Sequence, residues 1–378
     1  MYDFLGVQYH PQRFLFEFAR ARSELRRKGS EDSSYFVHAS NLHKTPPPRP
    51  RTMTTISYWV EVVYLVVCYA WFSICCFAVK PKTTVRGTSE TLHEYLKRMW
   101  VPEYFVTYYL LPLISSVTTC PHESLLGFPA SDVIEYKRRT HGAPHHTVSN
   151  GVGAVQEKLA KDIECQLSTI VSEVRPCGDQ VLVSWRKRGA SQGVRELFDK
   201  VVLAVAPDIV GQILEPLRYQ MSRIPTTVVE SIVHTDLNHL EGDKPHREIH
   251  TKDGAQLIYL RTSSNDTMRR TESLHVQPCG AIVTTCPFSP IDTSRIIHSA
   301  KFTRVLRSPE SQRIVNSIFE DTPSSCGDEK LSSLWKNGDN DIWLVGGWCW
   351  DGMVLLEGCV VSACRVAHGF GVDVPWQC

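Results

Sequence analysis

DIWLVGGWCWDGMVLLEGCVVSACRVAH, residues 341–368, carries the pattern that decides the fold. Ile342 to Val345 is a short apolar run of buried-strand type ending on Gly346 and Gly347, where the missing β-carbons allow the main chain to approach a ligand closely. Asp351 and Gly352 are read as the start of a helix. From Met353 to Ala367 small residues (Gly358, Ser362, Ala363, Ala367) recur among apolar ones, which suits close packing on a sheet. The N-terminus of such a helix presents unpaired N–H groups to an electron-rich or anionic ligand. On these residues alone, an ordinary C-terminal strand and helix of an α/β domain stands beside the ligand-binding reading.

Upstream, SNGVGAVQEKLAKDI (149–163) reads as a glycine turn entering an amphipathic helix. It is followed by strand patterns at Leu167 to Val174 and Gln180 to Trp185, and by an apolar strand from Lys200 that ends at Pro207. Taken cold, Gly151 and Gly153 approximate the first two positions of G-x-G-x-x-G, with Gln156 in the last, and Glu173 lies about 20 residues on, where a ribose-binding acid is expected. That reading makes a nicotinamide-dependent dehydrogenase.

The order helix, strand, strand pair, apolar strand and, much later, strand, Gly-Gly, helix resembles the flavin-containing amine oxidase superfamily, which also holds protoporphyrinogen oxidases and carotene desaturase-like enzymes. Within it the chain looks similar to fungal FAD-dependent oxidoreductases with a membrane segment. The resemblance implies an α/β fold: an FAD-binding Rossmann-like domain of amine-oxidase type interleaved with a mixed-sheet (α+β) substrate domain. It implies FAD as cofactor, with Gly346 and Gly347 in close approach, Asp351 and Gly352 at the helix start, Met353 and Val354 as N–H donors toward the pyrimidine end of the ring, and the backbone of Val174 against the adenine. Glu357 occupies a position where the superfamily often carries an acid. Lys301 matches a lysine that holds a water near the flavin in several relatives, and is the candidate catalytic residue. The pattern departs from the family in lacking an opening strand with G-x-G-x-x-G, so an N-terminally truncated domain is expected, and a non-catalytic, membrane-anchored remnant of the fold is the alternative function.

The divisions that follow are 1–43, a helical segment whose first residues carry an amphipathic helix pattern; 44–55, a Pro-rich basic linker; 56–79, a hydrophobic helix; 83–146, a helical part of the substrate domain; 147–215, FAD-binding; 216–325, a substrate-binding sheet; and 326–378, the C-terminal FAD-binding part. From Val62 to Val79 eighteen residues carry no charge, near the lower limit for spanning a bilayer, so a membrane segment stands against a buried core helix. Tyr58, Trp59, Tyr64 and Trp71 accompany it, and basic residues bracket both ends, which leaves its orientation open. A second apolar stretch, Tyr104 to Val117, contains Pro112 and is too short to span.

At 378 residues, 42% hydrophobic and with a formal charge of +1, the chain has enough apolar material for a large two-domain body. Near neutrality argues against a nucleic-acid partner. Thirteen cysteines include no C-x-x-C pair; Cys68, Cys75, Cys76, Cys120, Cys286 and Cys364 lie in hydrophobic contexts where buried thiols behave as small apolar residues, and a reducing, intracellular compartment is expected. His141, His145 and His146 lie in a Gly/Pro loop without a partner at ligand spacing, and no metal is expected. Trp348 and Trp350 are either ring-stacking or core residues, His234 and Asp236 either face the substrate or close a strand end, and Arg304 and Arg307 either bind a carboxylate or pair with Glu310 and Glu320. The expected activity is oxidation or desaturation of a small lipophilic molecule by an FAD enzyme at a membrane, with secondary metabolism as a setting.

Overall fold

The computed structural model describes residues 1–21, 34–40, 49–50, 53–84, 87–240, 254–263, 268–319 and 335–376. The Pro-rich linker lies mostly outside them. The strands are β1 (Tyr9–Pro11), β2 (Phe14–Arg20), β3 (Ser34–Ala39), β4 (His146–Val148), β5 (Thr169–Cys177), β6 (Gln180–Lys187), β7 (Val194–Phe198), β8 (Val201–Leu203), β9 (Thr226–His234), β10 (Gln256–Thr262), β11 (Thr271–Val276), β12 (Ile282–Thr285), β13 (Ile296–Val305) and β14 (Ile342–Leu344). The helices are α1 (Thr55–Ala78), α2 (Leu92–Arg98), α3 (Glu103–Phe105, a π-turn over Val106–Leu110, then Leu111–Thr118), α4 (His122–Leu126), α5 (Ala130–Thr140), α6 (Gly151–Leu159), α7 (Pro207–Ile213), α8 (Arg218–Met221), α9 (Pro309–Phe319) and α10 (Leu356–Gly369).

The largest sheet runs β13-β9-β12-β11-β10-β2-β3, antiparallel throughout except for the parallel β10–β2 pair. The N-terminal region corrects the helical expectation. Residues 14–20 form β2, an interior strand of this sheet, because they pair in parallel with β10 on one side and antiparallel with β3 on the other. Phe18, Phe36 and Leu260 present one sheet face to α1–α5, and Leu15, Val37, Tyr259 and Leu274 build a smaller core on the other. Helix α2 is fixed by a capping box in which Thr91 accepts from Glu94 N and Glu94 accepts from Thr91 N.

A second core gathers the β5–β6–β7 meander, the parallel pair β8–β14, and α7 to α9 around Val174, Leu203, Leu344 and Trp348. Pro207 opens α7 instead of closing the preceding strand, because a proline at the first turn sacrifices no helical hydrogen bond. Cys68, Cys75, Cys76 and Cys120 are buried thiols, as expected, whereas Cys364 is disulfide-bonded.

Burial has a consequence for pH. It pushes His38, stacked on Tyr69, and His122, bonded to Thr271 Oγ1 at 2.8 Å, down to about 4. Both folded values lie below the ordinary 6.5, so the unfolded chain binds more protons in that window and stability is lost as pH falls from about 6.5 to 4. Asp132, raised by burial from 3.8 to about 6, acts in the opposite direction over its own window, and the two imidazoles outweigh it. The urea midpoint is therefore expected to drop between about pH 7 and pH 5. A midpoint that stays level or rises on acidification contradicts this balance.

Candidate functional site

The strand β14 pairs in parallel with β8, and Val345 N donates to Leu203 O at 3.0 Å, which extends the ladder by one residue. Gly346 then takes φ +149°, a region that favours glycine. Its N–H donates to Ser362 Oγ at 3.0 Å while the Ser362 hydroxyl donates back to Gly346 O at 3.2 Å, so one serine of α10 stitches the turn to the helix. Trp348 is buried and its indole N–H donates to Val205 O at 3.0 Å. Trp350 is buried as well, donates to Met353 O at 2.9 Å, and packs against Gly352 and Gly358. Both tryptophans are core residues.

The helix begins at Leu356, later than the expected start at Asp351 and Gly352, because residues 347–355 fold around the Trp350 ring. A β-carbon on Gly347 would stand 2.9 Å from Leu355 O, and one on Gly358 would collide with the Trp350 indole. The need for glycine at these two positions arises inside the chain.

Beneath the turn lies a buried polar group that the sequence pattern does not announce. Arg307, on the stretch between β13 and α9, donates to Gly352 O at 3.0 and 3.2 Å and to Trp350 O, and its Nε stands 3.6 Å from Asp132 Oδ2. Burial outweighs this pairing: it pushes Asp132 up to about 6 and Arg307 below the usual guanidinium range. Gln312 of α9 donates to Asp132 Oδ1, Asp351 Oδ1 and Ser131 Oγ at 3.1–3.2 Å. Arg307 thus pairs with Asp132, and Glu310 with Arg223. Arg304 donates to the carbonyls of Val117 and Thr118.

The carbonyls of Trp350, Gly352 and Met353 are all engaged by the protein, while the amides of Met353 and Val354 donate to no acceptor among the described residues. Leu355 at the N-cap supplies no side-chain cap to α10. Two free amides beside an uncapped helix start fit the donor set that the pyrimidine edge of a flavin requires. Glu357, in the first turn, is held by Arg139 at 3.2 Å, and that guanidinium lies 5.9 Å from the Trp350 ring. A cavity of about 380 Å³ opens beside this turn, lined by Met1, Tyr2, Tyr9, Leu356, Glu357 and Val360 among others.

Val174 is buried in the same core as Leu344 and Trp348. Lys301 is exposed on the edge strand β13 and pairs across to Glu230 at 3.6 Å, with no contact to the Gly346–Leu355 segment among the described bonds. His234 is fully buried, bonded through Nε2 to Thr284 Oγ1 at 2.8 Å and accepting from Asp236 N at 3.1 Å, which makes the pair a closed strand end. Gly151 and Gly153 do begin a helix, but β4 before it pairs antiparallel with β1, and β5 after it pairs antiparallel with β6. No βαβ unit forms there, and Glu173 is an exposed meander residue bonded to Ser184 and paired with Arg175. Arg307, Asp132, Gln312 and Arg139 are the participants that pattern reading missed or misassigned, and the polar stretch Lys301 to Glu310 offers no local signal for the first.

No protein-family model matches the sequence, and no curated protein matches it. Solved structures do. A CLA-producing fatty acid isomerase from P. acnes matches over 98% of this chain and 83% of its own, with a TM-score of 0.54 at 11% identity. Chromopyrrolic acid-soaked RebC with bound 7-carboxy-K252c matches 55% of this chain and 36% of its own, with a TM-score of 0.31 at 11% identity, and carries no weight here. The first likeness shows a shared mixed α/β fold, in agreement with the coarse α/β class expected from the sequence.

Proposed function

We propose that the chain forms an FAD-dependent oxidoreductase site for a small hydrophobic molecule. The observation that carries this reading is the pair of unpartnered amides at Met353 and Val354, on a strand–Gly-Gly–helix unit whose fold is shared with an enzyme named for a fatty acid. Met353 and Val354 hold the ring's pyrimidine edge, and the α10 N-terminus supplies partial positive charge. The cofactor, when bound, supplies hydride chemistry. The protein's own residues orient the substrate and exclude water. The seven-stranded sheet and its aromatic residues select the substrate, and a lipophilic one suits them.

A specific observation supports a second reading, a fold kept for interaction without chemistry: the β-carbon positions of Gly347, Gly352 and Gly358 point into the chain's own atoms and leave no open cradle. Purification with added FAD, followed by gel filtration and an absorbance spectrum, separates the two. Retained flavin absorbance at near-stoichiometric amount is the expected result. A folded, colourless protein that takes up no flavin overturns the oxidoreductase reading and leaves the second.

A further inference from the structure

Helix α1 is apolar on both sides, and the two sides have different fates. Its inner side, Tyr58, Leu65, Cys68, Phe72, Cys75 and Cys76, is buried in the helical core. It is tied down from end to end. Tyr58 stacks on Phe36, Glu61 accepts the Tyr109 hydroxyl, Tyr69 meets Phe105 edge-on, Trp71 donates to Met99 O at 2.8 Å, and Arg138 donates to Cys76 O at 2.6 Å. The outer side is an unbroken stripe of Ile56, Val60, Val63, Val67, Ile74 and Phe77, each at least half exposed. A helix of 24 residues makes that stripe roughly 36 Å long. Uncovered apolar surface of such continuity is not left to water in a monomer.

The surroundings identify what covers it. Trp59 and Trp71 flank the stripe, and Tyr104 packs on Tyr64 beside it. Trp100, adjoining the Met99 carbonyl that Trp71 binds, stands 87% exposed on a turn with φ +53°. Indoles and phenols at the margin of an apolar strip are the groups that favour the headgroup boundary of a bilayer. Arg49 precedes the helix and Lys80 and Lys82 follow it, while the helix's one acidic residue, Glu61, is turned inward to Tyr109. Cations at both ends complement anionic headgroups. A protein partner would have to provide a pocket for the projecting Trp100 as well as a trough for the helix.

Packing also fixes the orientation. Crossing a bilayer would carry the inner side and its attached charges, Arg138 among them, into hydrocarbon, at several kcal/mol for each buried polar group left without water. We infer that the outer face of α1, with Trp100 and Tyr104 beside it, docks the protein on an anionic lipid surface with the helix axis in the plane of the membrane. This docking is independent of flavin binding, so its test does not depend on the proposed chemistry.

The full chain, without detergent, is mixed with preformed phosphatidylcholine vesicles containing phosphatidylserine and floated on a density gradient. The protein is expected to float with the vesicles and to transfer to a second, differently dyed population on mixing. Val63→Glu together with Val67→Glu is expected to abolish flotation, and Trp100→Ser to weaken binding about tenfold. These positions are exposed, so the circular-dichroism melt should be unchanged. Three results overturn the inference: wild type that stays with free protein; vesicle-bound protein that never transfers, which indicates a span; and variants that float normally but lose self-association in light scattering, which assigns the face to a second copy.

Discussion

Arg307→Met is expected to destabilise the protein by about 3–5 kcal/mol in urea titrations at neutral pH. The guanidinium serves three buried groups: the carbonyls of Trp350 and Gly352 and the carboxyl of Asp132. Methionine fills much of the volume but offers no donor, so two carbonyls lose their partner and Asp132 keeps only its contacts from Gln312 and Ser131. The loss should depend on pH. Asp132 already stands near 6 with the arginine present, because burial opposes its charge. Without the arginine its folded value rises further above the unfolded 3.8, and a raised acid removes stability as pH rises through its titration. The penalty should therefore be smaller at about pH 5 than at about pH 8. Arg307→Met combined with Asp132→Leu should be more stable than Arg307→Met alone, since it removes the stranded carboxyl. A single-variant loss below about 1 kcal/mol would mean that the turn carrying Met353 and Val354 does not rest on this group.

Local pattern made some of this legible. The apolar run Ile342 to Leu344, its double glycine and the following small-residue helix are all present, since each is set by residues close in sequence. Two strands of the meander were equally readable, since the patterns at Leu167 to Val174 and Gln180 to Trp185 fall on β5 and β6, whereas β7 carries no such pattern and takes its place by pairing with β6. What failed did so where partners distant in sequence decide. Phe14 to Phe18 fits either period over so short a window, and only pairing with β10, more than two hundred residues on, makes it a strand. The eleven residues between β14 and α10 are organised by the volume of Trp350 and by Arg307, neither of which has a local signature. For Lys301 the family pattern supplied a role, and the fold supplies Glu230 as its neighbour.

The two glycine motifs should respond in opposite ways to alanine, and that contrast tests what this chain uses glycine for. Gly153 lies in the first turn of α6 with nothing within 4 Å of the position a β-carbon would take. Gly153→Ala should be neutral or should stabilise by up to about 1 kcal/mol, the usual helix preference for alanine. Gly358 lies in the first turn of α10, where a β-carbon would overlap the Trp350 indole and stand 2.6 Å from Gly347 O. Neither neighbour yields easily: the ring is buried and bonded to Met353 O, and the Gly347 carbonyl belongs to the turn that Ser362 fastens to the same helix. Gly358→Ala should therefore cost about 3 kcal/mol, the upper part of the range for overpacking. Trp350→Leu alone should also be costly, through the cavity it leaves. Added to Trp350→Leu, however, Gly358→Ala should cost well under its single-variant value, because the alanine methyl then enters space the indole has vacated. Strict additivity in this cycle would show that Gly358 is required for something other than the indole, and the Gly347 carbonyl would be the remaining obstacle.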